Sequence, residues 1–208
     1  MKKSLLFLLI LLLPSAGLFA HPHMFVDMKL KAVFNEDSFV GVEVDWLFDQ
    51  VFTGSVLMDN NIGWKDSFTD DEIEIIKSTS FVNLVNYNYF TYFNVGSRMT
   101  TAKTYTDFTA YMKDNRLGYK FFLPYEGENP SAKEVRIAVY DKTFFTDIAY
   151  VEDNPASVDA PADKQIEWEL SENKNAPIYY DNTVQTVARE GTVYSGQAFP
   201  IELVLTVK

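Results

Sequence analysis

Apolar and polar residues take turns at the start of the region that folds. Met24, Val26, Met28, Leu30 and Ala32 alternate with Phe25, Asp27, Lys29 and Lys31. A period of two puts successive side chains on opposite faces, the signature of a half-buried strand. The turn formers Asn35, Glu36, Asp37 and Ser38 follow, and the alternation resumes with Val40, Val42, Val44 and Trp46 on one side. Two such runs joined by a short polar loop predict an antiparallel hairpin, which commits the chain to a sheet. Further strand signals fall at 87–95, 104–112, 119–123, 135–140, 144–151, 166–170 and 201–207, with Asp114-Asn115 as a turn. Thr69, Asp70, Asp71 and Glu72 form a capping box ahead of Ile73, Ile76 and Leu84, predicting the one long helix. The stretch 152–164, rich in Pro, Ala and Asp, reads as a long exposed loop. The expected fold is mainly β (α+β): an antiparallel β-sandwich-like domain with one long helix near residues 70–86.

Residues 1–20 have a different grammar. Lys2 and Lys3 are followed by an apolar run from Leu5 to Leu13 and then by Pro14, Ser15, Ala16, Gly17 and Ala20. That order is the pattern of a cleavable signal peptide, with a cut expected after Ala20 and a competing site after Gly17. The apolar run is shorter than the roughly 20 residues a membrane span needs. The division expected is a signal peptide over 1–20 and a single β-rich periplasmic domain over 21–208. A chain of the remaining 188 residues suits one domain with a sizeable core. It would carry 16 basic and 29 acidic residues, a net charge of −13. Nucleic acid is thereby an unfavoured partner, since binding it needs a basic face. Cysteine is absent, so thiol chemistry is excluded and core packing must supply the stability.

The chain has two histidines, and both lie in the segment His21-Pro22-His23, at or next to the expected mature N-terminus. On extended backbone, residues i and i+2 project to one face with α-carbons roughly 6.5 to 7 Å apart. Two such imidazoles can share one ion at Zn–N bonds of about 2.0 to 2.1 Å. Cleavage after Ala20 would free the α-amine of His21 as a third nitrogen. Pro22 has no amide proton to lose, which disfavours the planar mode in which a third-position histidine captures copper or nickel through deprotonated amides. An imidazole-plus-amine set completed by an oxygen suits zinc, nickel, cobalt or Cu(II). Hairpin register nominates Asp49 as that oxygen. If Phe34 pairs with Phe39, then Met24 faces Asp49, and a one-residue change brings Asp49 opposite His23. Asp27, on the histidine face but about 13 Å away along the strand, and Asp45, two pairs further in, are the lesser candidates. The plainer reading is a frayed terminus whose histidines are merely solvated.

Other chemistry is poorly supported. The run Asp59-Asn60-Asn61-Ile62-Gly63 with Asp66 and Asp70 is spaced only roughly like a calcium loop. Gly63 stands where a ligand belongs and Trp64 where glycine belongs. An acidic turn leading into a capped helix explains these residues better. The aromatics Tyr87, Tyr89, Phe90, Tyr92 and Phe93, with Phe121, Phe122, Phe144 and Phe145, have the spacing of core packing more than of a ligand platform. With both histidines terminal, no Ser-His-Asp arrangement is available.

His21-Pro22-His23-Met24-Phe25-Val26-Asp27 after a signal peptide resembles a known pattern. So do Asp45-Trp46-Leu47-Phe48-Asp49, Asn83-Leu84 with Tyr87-Asn88-Tyr89-Phe90-Thr91, and Val139-Tyr140-Asp141. Together they resemble the domain of unknown function 1007 family over about residues 21–150. The resemblance implies a periplasmic component of an uncharacterised transport system, in a family associated with inner-membrane permeases of the nickel/cobalt exporter type and with zinc handling. It carries His21, His23, Asp27, Trp46 and Asp49 onto the family pattern without saying which are ligands. The expected function is a periplasmic divalent-metal-binding accessory of a metal-ion transport system. Its metal site would be His21, His23 and Asp49, and it would catalyse no reaction. Two alternatives stand beside it: a copper redox protein built on an N-terminal histidine brace, and a structural β-domain with incidental terminal histidines, which an exposed aromatic patch would favour.

Overall fold

The computed structural model describes residues 24–36, 38–96, 98–128, 130–143, 145–179, 186–187, 193–194 and 197–208. His21, Pro22 and His23, with the whole expected signal peptide, lie outside the described residues.

The predicted hairpin forms as β1 (Met24–Phe34) and β2 (Phe39–Phe48), paired antiparallel. Val26, Met28, Leu30, Ala32 and Phe34 are all buried, as the alternation requires. One detail differs. Phe34 pairs with Phe39, but Val33 pairs with Gly41, so Val40 is an extra residue in β2. Such a bulge leaves two residues opposite one and turns a side chain across the sheet. Phe39 therefore enters the core while Val40, expected there, does not. Gly41 permits the bend, because at its φ of +153° a Cβ would stand 2.3 Å from the Leu123 carbonyl oxygen.

Two strands complete one side of this sheet. β5 (Thr106–Lys113) and β6 (Arg116–Pro124) form a second hairpin, and β6 pairs antiparallel with β2. On the other side of β1 lie β8 (Thr146–Tyr150) and β9 (Ala156–Asp159), both parallel to it. β9 corrects the expected 152–164 loop. Its backbone finds partners along Leu30–Val33, and Leu30 N donates to Pro155 O at 3.1 Å.

The second sheet runs β10–β15–β7–β3–β4. Its strands are β10 (Ile166–Glu172), β15 (Ile201–Val207), β7 (Glu134–Val139), β3 (Thr91–Val95) and β4 (Arg98–Thr101), all antiparallel. Four two-residue strands make two ribbons: β11 (Ile178–Tyr179) with β14 (Gln197–Ala198), and β12 (Thr186–Val187) with β13 (Val193–Tyr194). The two large sheets share one core: Val44, Trp46 and Phe121 from the first and Phe93, Ile137 and Leu203 from the second belong to the same buried cluster. The fold is thus mainly β with two antiparallel-rich sheets, as expected.

The helical part departs from expectation in two ways. An unforeseen helix, α1 (Gln50–Asp59), follows β2 directly. Its apolar residues surround the axis instead of forming a stripe: Val56 and Leu57 are buried while Val51 and Met58 are exposed. Periodicity therefore gave no signal. The predicted helix begins where the capping box places it, with Thr69 Oγ1 accepting from Glu72 N, but α2 (Asp70–Thr79) stops early. A 3₁₀ stretch (Phe81–Phe90) replaces its second half. α2 ends at the C-cap Ser80, and the 3₁₀ stretch in turn closes in a left-handed turn over Asn88, Tyr89 and Phe90, at φ of 52°, 50° and 52°. No helix among the described residues is long and apolar enough to cross a membrane.

Candidate functional site

β1 enters the sheet at Met24, so the α-carbon of His23 stays within 3.8 Å of that of Met24 by covalent geometry alone. The residues around this entry are therefore the candidate surroundings of the two histidines. Register there is set by the bulge. With Val26 opposite Phe48, Asp49 comes level with Phe25, one pair further along β1 than the unbulged register allows. Asp49 N donates to Phe25 O at 3.0 Å, and Phe25 N donates to Asp49 Oδ2 at 2.7 Å. The other carboxylate oxygen, Oδ1, accepts from Phe52 N at 2.8 Å as the N-cap of α1. Asp49 is thus level with Phe25 instead of Met24 or His23, and it stitches the end of β2 to β1 and starts a helix.

This double role yields a prediction. Asp49→Ala is expected to cost about 2–3 kcal/mol in urea unfolding with chelator present: about 1–2 for the lost cap and about 1 for the lost bond to Phe25. A loss under about 0.5 kcal/mol, the range of an ordinary surface substitution, would show that Asp49 is not structural.

The opposite flank of β1 carries a carboxylate that the sequence reading missed. Asp147 on β8 is in register with Phe25 and 9 % exposed. Paired residues of a parallel sheet project to the same face, and neighbouring strands lie about 4.8 Å apart. Asp49 and Asp147 therefore lie on either side of Phe25. The only signal for Asp147 in the sequence was an acidic residue inside an otherwise apolar strand run.

The lesser candidates are engaged elsewhere. Arg116 reaches Asp27 with Nη1 at 2.7 Å while donating to Phe48 O at 2.6 Å and Leu47 O at 2.8 Å. It clamps the last turn of β2 just before Asp49. Asp45 accepts from the Tyr111 hydroxyl, and burial together with that bond pushes the phenol well above its ordinary range. Further along the same face, partial burial raises the Glu43 carboxyl, but the Lys31 and Lys120 ammonium groups outweigh it and hold it below the usual value. The acidic run 59–72 behaves as a turn and cap: Glu72 takes part in the capping box and pairs with Lys65. Of the aromatics, Tyr89, Phe90, Tyr92, Phe93 and Phe121 are buried, whereas Tyr87 and Phe145 are about half exposed. Phe144 lies outside the described residues.

Among the described residues no group of three or more His, Asp or Glu side chains is arranged to hold a metal ion. The chain's two imidazoles both lie in His21-Pro22-His23, outside the described residues, and the carboxylates of Asp49 and Asp147 lie at the β1 entry that follows them. Both carboxylates there supply hard oxygen donors compatible with zinc or its neighbours alongside imidazole.

A 103-residue stretch, half of the chain, is 31 % identical to an uncharacterised 15.5 kDa protein encoded in the trpE 3′ region of Spirochaeta aurantia, covering 74 % of that protein. An uncharacterised protein of Haemophilus influenzae is 23 % identical over 146 residues, 69 % of each chain. No solved structure matches the chain significantly. The family model described as protein of unknown function (DUF1007) matches residues 6–199, so the chain belongs to that family.

Proposed function

We propose that the chain is exported to the periplasm, loses residues 1–20, and binds a divalent transition-metal ion through His21 and His23. Zinc is the first choice; nickel, cobalt and Cu(II) accept the same donors. The protein acts as an accessory to a metal-ion transporter, with an inner-membrane permease of the nickel/cobalt exporter type as its partner, and it binds the ion without transforming it. The observation that supports this reading is the concentration of donors. The chain's only two imidazoles precede β1 immediately, and the first pleat of β1 is flanked by Asp49 on one side and Asp147 on the other. In extended backbone His21, His23, Phe25 and Asp27 fall on one face.

Two carboxylates are candidates for the oxygen ligand. Asp49 already accepts two backbone N–H groups, so serving a metal as well would demand its remaining lone pairs. Asp147 joins it as a candidate. Asp49→Asn keeps an acceptor for the helix cap, so it separates capping from ligation better than alanine does.

N-terminal sequencing of the secreted protein and calorimetric titration with Zn(II) test the proposal. The mature chain is expected to begin at His21. His21→Ala/His23→Ala is expected to lower affinity at least about 100-fold, more than the roughly 10- to 100-fold that losing a group behind a ligand costs, with no change in the melting temperature of the metal-free protein. Unchanged affinity in the double variant would refute it. A fall in affinity for Asp147→Asn, but not for Asp49→Asn, would assign the oxygen to β8.

A further inference from the structure

A cavity of about 430 Å³ opens beside the entry of β1. Its walls come from the core-facing side of the first sheet (Met24, Val26, Trp46, Phe48) and from the 3₁₀ stretch (Leu84, Tyr87, Phe90). The volume falls in the range of small-molecule sites, about 300–1,000 Å³, and the lining is mostly apolar and aromatic, as such sites are. No Lys, Arg or His stands among its described lining residues. The one carboxylate, Asp141, is already engaged: Oδ1 accepts from Thr143 N and Oγ1, and Oδ2 from Thr146 N. An anion would find no counter-charge among the described lining residues, and a cation would compete with three donors for Asp141.

The backbone supplies a second observation. Asn88, Tyr89 and Phe90 all adopt left-handed φ, where each non-glycine residue costs roughly 1–2 kcal/mol. Strain of this kind persists only where surrounding structure holds it, and it clusters at ligand clamps. Here Thr91 Oγ1 donates to Tyr89 O at 2.8 Å and Tyr140 N donates to Phe90 O at 2.9 Å. The turn sends consecutive rings in different directions. Tyr89 packs among Phe81 and Tyr105, while Phe90 lies 5.5 Å from Tyr87 and 6.2 Å from Trp46, along the cavity wall.

The geometry points to a binding site for a neutral, largely apolar small molecule of one or two aromatic rings, held between the Trp46–Phe48 wall and the Tyr87–Phe90 pair. The proposal does not rest on the metal reading.

The test uses mature protein with chelator present and two fluorescent probes on one ring framework: neutral N-phenylnaphthylamine and its sulfonated analogue, anilinonaphthalene sulfonate. The neutral probe is expected to bind saturably at one site per chain and more tightly than the sulfonate. Tyr87→Ala removes a half-exposed ring and is expected to weaken binding about fivefold, a typical loss for one aromatic contact. Leu84→Trp fills the cavity and is expected to weaken it at least as much. Val51→Ala, an exposed apolar change on α1 away from the lining, is expected to leave binding unchanged. Absence of saturable binding, a preference for the sulfonate, or equal binding by wild type and Tyr87→Ala would overturn the proposal. Should Leu84→Trp fail to unfold cooperatively, Tyr87→Ala decides alone.

Discussion

Trp46→Ala is expected to destabilise the protein by about 3–5 kcal/mol in urea unfolding at 25 °C, the range for truncating a large buried aromatic. Trp46 is 1 % exposed and packs edge-on against Phe48 and Phe121, with Phe90 beside it. It joins the central strand of the first sheet to the 3₁₀ stretch, so its removal enlarges a cavity that already exists. That geometry favours the upper part of the range, because the walls have no neighbour to collapse upon. Trp168, 41 % exposed on β10, serves as the control, with an expected change within about 0.5 kcal/mol. The indole Nε1 of Trp46 is buried with no hydrogen-bond partner among the described residues. Trp46→Phe should therefore cost much less than alanine, since it removes an unsatisfied donor together with the volume. A loss below about 1 kcal/mol for alanine would contradict the packing described.

Metal affinity is expected to fall several hundred-fold between pH 7 and pH 5. An ordinary imidazole titrates near pH 6.5, and only its neutral form ligates. Lowering the pH from 7 to 5 cuts the neutral fraction about 25-fold for one such group, and two groups multiply the effect. The direction follows from competition: protons displace the metal, so affinity is lost as pH falls and regained as it rises. Titrations in buffers that do not chelate check this. A drop of only about 25-fold would leave one imidazole in the site, and a flat profile would leave none.

The hairpin was legible because one buried face forces a period of two on the residues. The bulge at Val40 and Gly41 was not, since a one-residue insertion changes no composition and shows only when Phe39 turns inward. That single residue decides which pair Asp49 joins, and so where the nominated ligand falls. α1 escaped notice for a related reason. A short helix apolar on all sides has no stripe to detect, although Asp49 three residues before Phe52 carries the N-cap signal. Asp49, read from the sequence only as a ligand, is the N-cap of α1 in the structure. The capping box at Thr69 marked the start of α2, while its end at Ser80 and the 3₁₀ stretch that follows carried no stop signal of their own in the sequence. Asp147 was hidden in a strand run, because parallel pairing of β8 with β1 is a long-range event that local pattern does not encode.

The two histidines remain the centre of the functional account, and X-ray absorption at the zinc edge of the loaded mature protein examines them most directly. The account predicts a first shell of mixed nitrogen and oxygen with Zn–N bonds of about 2.0 to 2.1 Å, and outer-shell scattering from imidazole rings that disappears in His21→Ala/His23→Ala. An oxygen-only shell without imidazole scattering, identical in wild type and variant, would contradict it.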